Sequence, residues 1–134
     1  MAGLMLKLPS GDRIVVNGAV IENAGRGARL RLLTPDTQLL RLRDAVDPAR
    51  AVTPVARLAN LVQIMLVGEC DIEQTRTDAL RALVPLRHAF VEPGDRALID
   101  RISTHLLQGQ DYQALRRLGD LKNREAQILA ATAA

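Results

Sequence analysis

Few side chains in this sequence could perform covalent chemistry. There are two histidines (His88 and His105), two serines (Ser10 and Ser103) and one cysteine, Cys70. No H-E-x-x-H, G-x-S-x-G, Walker A or G-x-G-x-x-G spacing occurs, so none of the common hydrolase, zincin or nucleotide signatures is available. His88 lies between Arg87 and Phe90, and His105 follows Arg101 by one helical turn; both read as solvated or core-edge side chains. Cys70 sits between Glu69 and Asp71, whose negative charge opposes a thiolate nucleophile. A single cysteine also excludes an intrachain disulfide or a cysteine zinc site. The expectation is a non-enzyme without metal or organic cofactor.

Arginine is the one abundant functional group. Of 18 basic residues 16 are arginine, with only Lys7 and Lys122 as lysine. Residues 1–50 hold eight basic and five acidic residues, whereas residues 51–134 hold ten of each. The excess is densest from Arg26 to Arg43, where five arginines face Asp36 alone. A guanidinium presents a planar, bidentate donor pair that suits phosphate. A basic stripe on a near-neutral body therefore points to a polyanion partner.

The elements that must carry this stripe follow from the hydrophobic period, which changes near residue 50. Before it, short alternating or β-branched runs are separated by turn residues. Leu4 to Leu8, Arg13 to Val16, Ala19 to Glu22, Ala28 to Leu33 and Gln38 to Arg43 read as five strands. Asn17-Gly18 is a strong hairpin signal, and Thr34-Pro35-Asp36-Thr37 turns the chain again. After Asp47-Pro48 the pattern is helical. Thr53 caps a first helix that opens with Pro54 and stops at Gly68. Its apolar positions, Ile64 and Met65 among them, cover so much of its surface that its own chain or a partner must bury it. A second helix begins near Asp71 and should kink or split at Pro85. A third ends at Gly109, Asp111 is a candidate cap for the fourth, and Ala130 to Ala134 should fray. The fold class is α+β: a five-stranded antiparallel sheet over residues 1–49, then four or five helices over residues 50–134.

If the Thr34 turn pairs Leu33 with Leu39, Arg31 lies opposite Arg41 and Arg29 opposite Arg43, placing four guanidiniums on one face. A register shifted by one residue interleaves them with leucines instead. The only aromatics, Phe90 and Tyr112, fall in the helical part, so base stacking on sheet aromatics is excluded. The totals agree with a folded chain: 134 residues, 48% hydrophobic and 25% charged. The longest wholly apolar run, Ile64 to Val67, is far below the ~18 residues of a membrane helix. The first residues show no secretory pattern, so a cytoplasmic location is expected.

Several stretches together resemble the FlbT family. They are Leu4 to Leu8, Gly11-Asp12-Arg13, Ile14 to Asn23, Thr34-Pro35, Leu40 to Ala45, Thr53-Pro54-Val55, and Gly109-Gln110 followed by Tyr112-Gln113. The resemblance implies a cytoplasmic regulator of flagellin synthesis. Such a regulator associates with the 5′ untranslated region of flagellin messenger RNA and promotes its decay, although in some members the effect on synthesis is positive. A second likeness covers residues 4–46 alone. Leu4-x-Leu6, Gly11-Asp12, Ile14, Arg31, Thr34-Pro35 and Arg43-Asp44 are similar to the small dimeric carbon storage regulators, which bind GGA-containing hairpins through their first and last strands. By position, Leu6 falls on that family's first-strand contact and Arg43 on its last-strand arginine. Leu8-Pro9 replaces a basic pair and Leu42 a histidine, so the likeness is one of architecture rather than a sequence code.

The expected RNA-binding set is Leu6, Lys7, Arg29, Arg31, Arg41 and Arg43. The expected partners are the flagellin messenger leader, a second copy of the chain and a flagellar protein, with no membrane. The alternative is a protein-binding adaptor of flagellar assembly whose RNA association is indirect.

Overall fold

The structure, a computed structural model, describes residues 4–34, 37–68 and 70–133. Five strands come first: β1 (Leu4–Leu8), β2 (Arg13–Val16), β3 (Ala19–Glu22), β4 (Ala28–Leu32) and β5 (Leu39–Arg41). Two 3-10 turns, Leu42–Asp44 and Pro48–Arg50, lead into α1 (Pro54–Val67), α2 (Ile72–Ala89), α3 (Pro93–Leu107) and α4 (Asp111–Ala133). The β2–β3 hairpin turns on Asn17 and Gly18, at φ 48° and 85°, the left-handed pair that a two-residue loop requires. Arg13 lies directly opposite Glu22 and donates to its carboxylate at 2.9 Å.

The strands do not form one five-stranded sheet. They form a pair, β1-β4, and a triplet, β3-β2-β5. β4 does not pair with β5. It returns antiparallel to β1, with Leu6 opposite Leu30, while β5 joins β2 with Val15 opposite Leu40. Burial explains the split. Leu39, Leu40 and Arg41 are each no more than 4% exposed, so β5 lies inside the molecule, whereas Arg29 and Arg31 of β4 require water. Asn23 clips the two sheets together, donating to the carbonyls of Leu8 and Arg26 at 2.8 Å each. Pro35 and Asp36 of the expected turn lie outside the described residues. The last strand is also shorter than expected: it stops at Arg41, where the 3-10 turn begins.

The helix ends follow their capping chemistry. Thr53 Oγ1 accepts from the Ala56 amide, Pro54 opens α1, and Gly68 closes it at φ 76°. Asp71 caps α2 by accepting from the Gln74 amide. Three expectations need correction. α2 does not split at Pro85 but continues through it to Ala89; Pro85 and Arg81 are both exposed, so the carbonyl that the ring orphans can bond water. Asp111 does not cap α4 but begins it, and its buried carboxylate takes a two-armed ion pair from Arg76 of α2. Residues 130–133 continue α4 rather than fray, and Ala134 is outside the described residues.

Each helix packs on its neighbours in sequence, and α4 closes back on α1, completing a four-helix ring. Leu58, Met65, Ile102 and Leu118 are at most 1% exposed at its centre; burying each such side chain contributes about 1.5–3 kcal/mol. Much of the wide apolar surface of α1 is thus covered by its own chain, with Leu61 and Ile64 partly buried. Leu6, Val15, Leu39 and Leu40 join the same cluster, so strands and helices share one core. Polar ties reinforce it: Tyr112 donates its hydroxyl to Asp44 at 2.5 Å, and Glu125 of α4 accepts from the Val55 amide at 3.3 Å. Among the described residues no helix is long and apolar enough to cross a membrane.

Candidate nucleic-acid interface

The pleat of the β1-β4 pair sorts its side chains by chemistry. Leu6 and Leu8 point to the core, and residues Met5, Lys7, Arg29 and Arg31 take the opposite face, all four exposed. Lys7 lies directly opposite Arg29, and Arg31 opposite Met5. Like charges facing each other across strands destabilise a sheet. No carboxylate offsets them: among the described residues Lys7, Arg29 and Arg31 make no ion pair. Three uncompensated cations on a narrow two-stranded ribbon form a surface that an anion would stabilise.

The six expected contact residues do not share this face. Lys7, Arg29 and Arg31 are brought together there. Leu6 is 3% exposed and belongs to the core. Arg41 is 4% exposed, and its Nη2 donates to Asp12 at 3.0 Å, holding the β1–β2 turn against β5. Arg43 is exposed but sits in the 3-10 turn that follows β5 and packs against β2 and α4, on no strand itself. Neither register considered for the arginine stripe occurs, because both required β4 to pair with β5. The positional likeness to the carbon storage regulators fails at both quoted points: Leu6 is internal, and Arg43 is not on the last strand.

Most other arginines are occupied. Arg13, Arg50, Arg76, Arg87, Arg117 and Arg124 pair with carboxylates, while Arg57 and Arg96 donate to backbone carbonyls. The Arg87 pair with Asp100 is exposed; its hydrogen bond lowers the Asp100 pKa from the ordinary value and raises that of Arg87. Sequence reading could not separate tethered from uncommitted arginines, since the partner of Arg76 is 35 positions away. Phe90 and Tyr112 are buried at 6% and 3% exposure, so neither offers a stacking surface. No group of histidine, cysteine and carboxylate side chains that could hold a metal occurs among the described residues.

Comparison with known proteins places the chain in a flagellar family. The family model described as flagellar protein FlbT matches residues 4–129. The chain belongs to the FlbT family. Its relatives include a protein of Chelativorans sp. (strain BNC1), 32% identical over 126 residues, covering 94% of this chain and 86% of the relative. Another, from Rhodopseudomonas palustris (strain TIE-1), is 33% identical over 127 residues, covering 95% and 98%. Both are named "Probable flagellum biosynthesis repressor protein FlbT". No solved structure matches the chain.

Proposed function

We propose that this protein is a cytoplasmic repressor of flagellum biosynthesis that acts after transcription. It binds the 5′ untranslated region of flagellin messenger RNA and promotes degradation of that messenger. The regulatory role is supported by the names of its relatives. RNA as the target is supported by one observation above all: Lys7 and Arg29 oppose each other with Arg31 alongside, and no carboxylate among the described residues neutralises them. β3 is an edge strand whose Val20 is 65% exposed, which favours a homodimer presenting two such faces.

The test is fluorescence anisotropy with a flagellin leader RNA. Simultaneous Lys7→Ala, Arg29→Ala and Arg31→Ala changes should weaken binding more than about tenfold, since each charge-assisted contact contributes about 1.5–3 kcal/mol. The slope of log affinity against log salt should flatten by about 2, at ~0.7 per lost phosphate contact. Arg81→Ala removes an exposed charge that makes no ion pair among the described residues and should change little. Equal affinities for the triple variant and this control would reject the reading.

A second reading, an adaptor of flagellar assembly, is favoured by an apolar groove of about 640 Å³ between α1, α2 and the Pro48–Arg50 turn. Pro54, Leu61, Ala82 and Pro85 line it. A wild-type protein that fails to bind leader RNA at low salt would promote this reading.

A further inference from the structure

Arg43 lies on neither strand of the basic ribbon, and the residues that share a cleft with it include several from the other end of the sequence. It lines a cleft of about 600 Å³ with Arg116, Arg117 and Lys122 of α4, and with His105 of α3. That volume lies in the range of small-ligand sites, enough to admit part of a polynucleotide backbone. Four cations line the cleft against two carboxylates, Asp44 and Asp120. Asp44 accepts from the Tyr112 hydroxyl, and Asp120 lies 3.9 Å from Arg117. Arg43, Arg116 and Lys122 make no ion pair among the described residues.

The wall of the cleft carries a second signal. Gly119 sits inside α4, where glycine lowers helix stability relative to alanine. No packing constraint explains it: a Cβ built there meets nothing within 4 Å. Arg116, Gly119 and Asn123 recur at i, i+3 and i+7, so they share the face of α4 that borders the cleft. The missing side chain leaves the helix backbone open at a position that lines the same cleft as the cations.

We propose that this cleft is a second phosphate-binding site for the leader RNA, with Arg43, Arg116 and Lys122 as its cations and Gly119 as its open wall. The proposal rests on the RNA-binding reading above and joins Arg43 to cations from residues 51–134, whose net charge is zero.

The experiment measures leader-RNA affinity, salt slope and melting temperature for four forms of the full chain beside wild type. They are Arg116→Ala with Lys122→Ala, Gly119→Met, the Lys7/Arg29/Arg31 triple-alanine variant, and Arg101→Ala. Gly119→Met fills the cleft without changing charge, and Arg101→Ala removes an exposed charge from α3. The double variant should bind about a hundredfold more weakly, with the salt slope flattened by about 1.4. Gly119→Met should also bind more weakly while melting no lower than wild type, and Arg101→Ala should bind like wild type. Cleft variants that bind like wild type, while the ribbon variant does not, would overturn the cleft and leave the RNA-binding reading intact. A loss shared by Arg101→Ala but absent from Gly119→Met would show a diffuse field effect and also overturn it. A wild-type protein without affinity for the RNA removes both.

Discussion

Arg41 and Arg43 are two residues apart, and the turn that begins at Leu42 sends them to different environments. Arg41 is the last residue of β5 and reaches Asp12 in the interior; Arg43 is exposed in the cleft wall. In sequence they are equivalent members of an alternating Leu-Arg run, and nothing in the residue types tells them apart. Tyr112 was equally hard to read. Its aromatic character fits a helix core face, but its hydroxyl bond to Asp44 spans 68 positions. Burial and that bond raise its pKa well above the ordinary 10.0. Ionisation is therefore resisted in the folded state and free in the unfolded one. The resulting stability is fully present below pH 10 and is lost as the solution becomes more alkaline. Tyr112→Phe should cost about 2 kcal/mol at neutral pH, typical of a hydrogen bond to a charged group, and should lose this alkaline decline. Urea unfolding across pH checks both effects. Because the chain has a single tyrosine, tyrosinate absorbance reads this group alone.

At the scale of elements, local signals were reliable where chemistry is local. Asn17-Gly18 specifies its turn by left-handed backbone preference, and Thr53-Pro54, Gly68 and Asp71 mark helix ends through hydrogen bonds a few residues long. Strand partners were not legible, since β4 had two possible neighbours and only burial of β5 against the helices decides between them. The site suffered in proportion. Charge alone singles out Lys7, Arg29 and Arg31, but their shared face depends on the β1-β4 pairing. That pairing makes a counterintuitive prediction. Arg29→Glu would set a carboxylate directly opposite Lys7 and turn a repulsive cross-strand pair into an attractive one. The variant should be more stable than wild type by about 0.2–1 kcal/mol and should bind leader RNA markedly less well. Thermal melting and anisotropy on the same preparation test the pair of effects; lower stability would show that the two side chains do not face each other.

At the scale of the whole molecule, the change of hydrophobic period near residue 50 marks a change of secondary structure within one shared core. Leu6, Val15, Leu39 and Leu40 are covered by the cluster that α1 to α4 complete. A fragment ending at Asp47 retains too little apolar burial for stability and should not persist as a folded monomer. Circular dichroism and sedimentation of that fragment check this, and a compact monomeric β species would contradict it. The Tyr112–Asp44 tie carries a consequence for the order of synthesis. The strands leave the ribosome first, yet the side chain that fastens their end to α4 is made 68 residues later. The cleft beside Arg43 likewise does not exist until Arg116 and Lys122 have emerged. A growing chain therefore carries Arg43 before it has the α4 surface beside it. The cleft surface is therefore a late product of synthesis, complete only once α4 has formed beside Arg43.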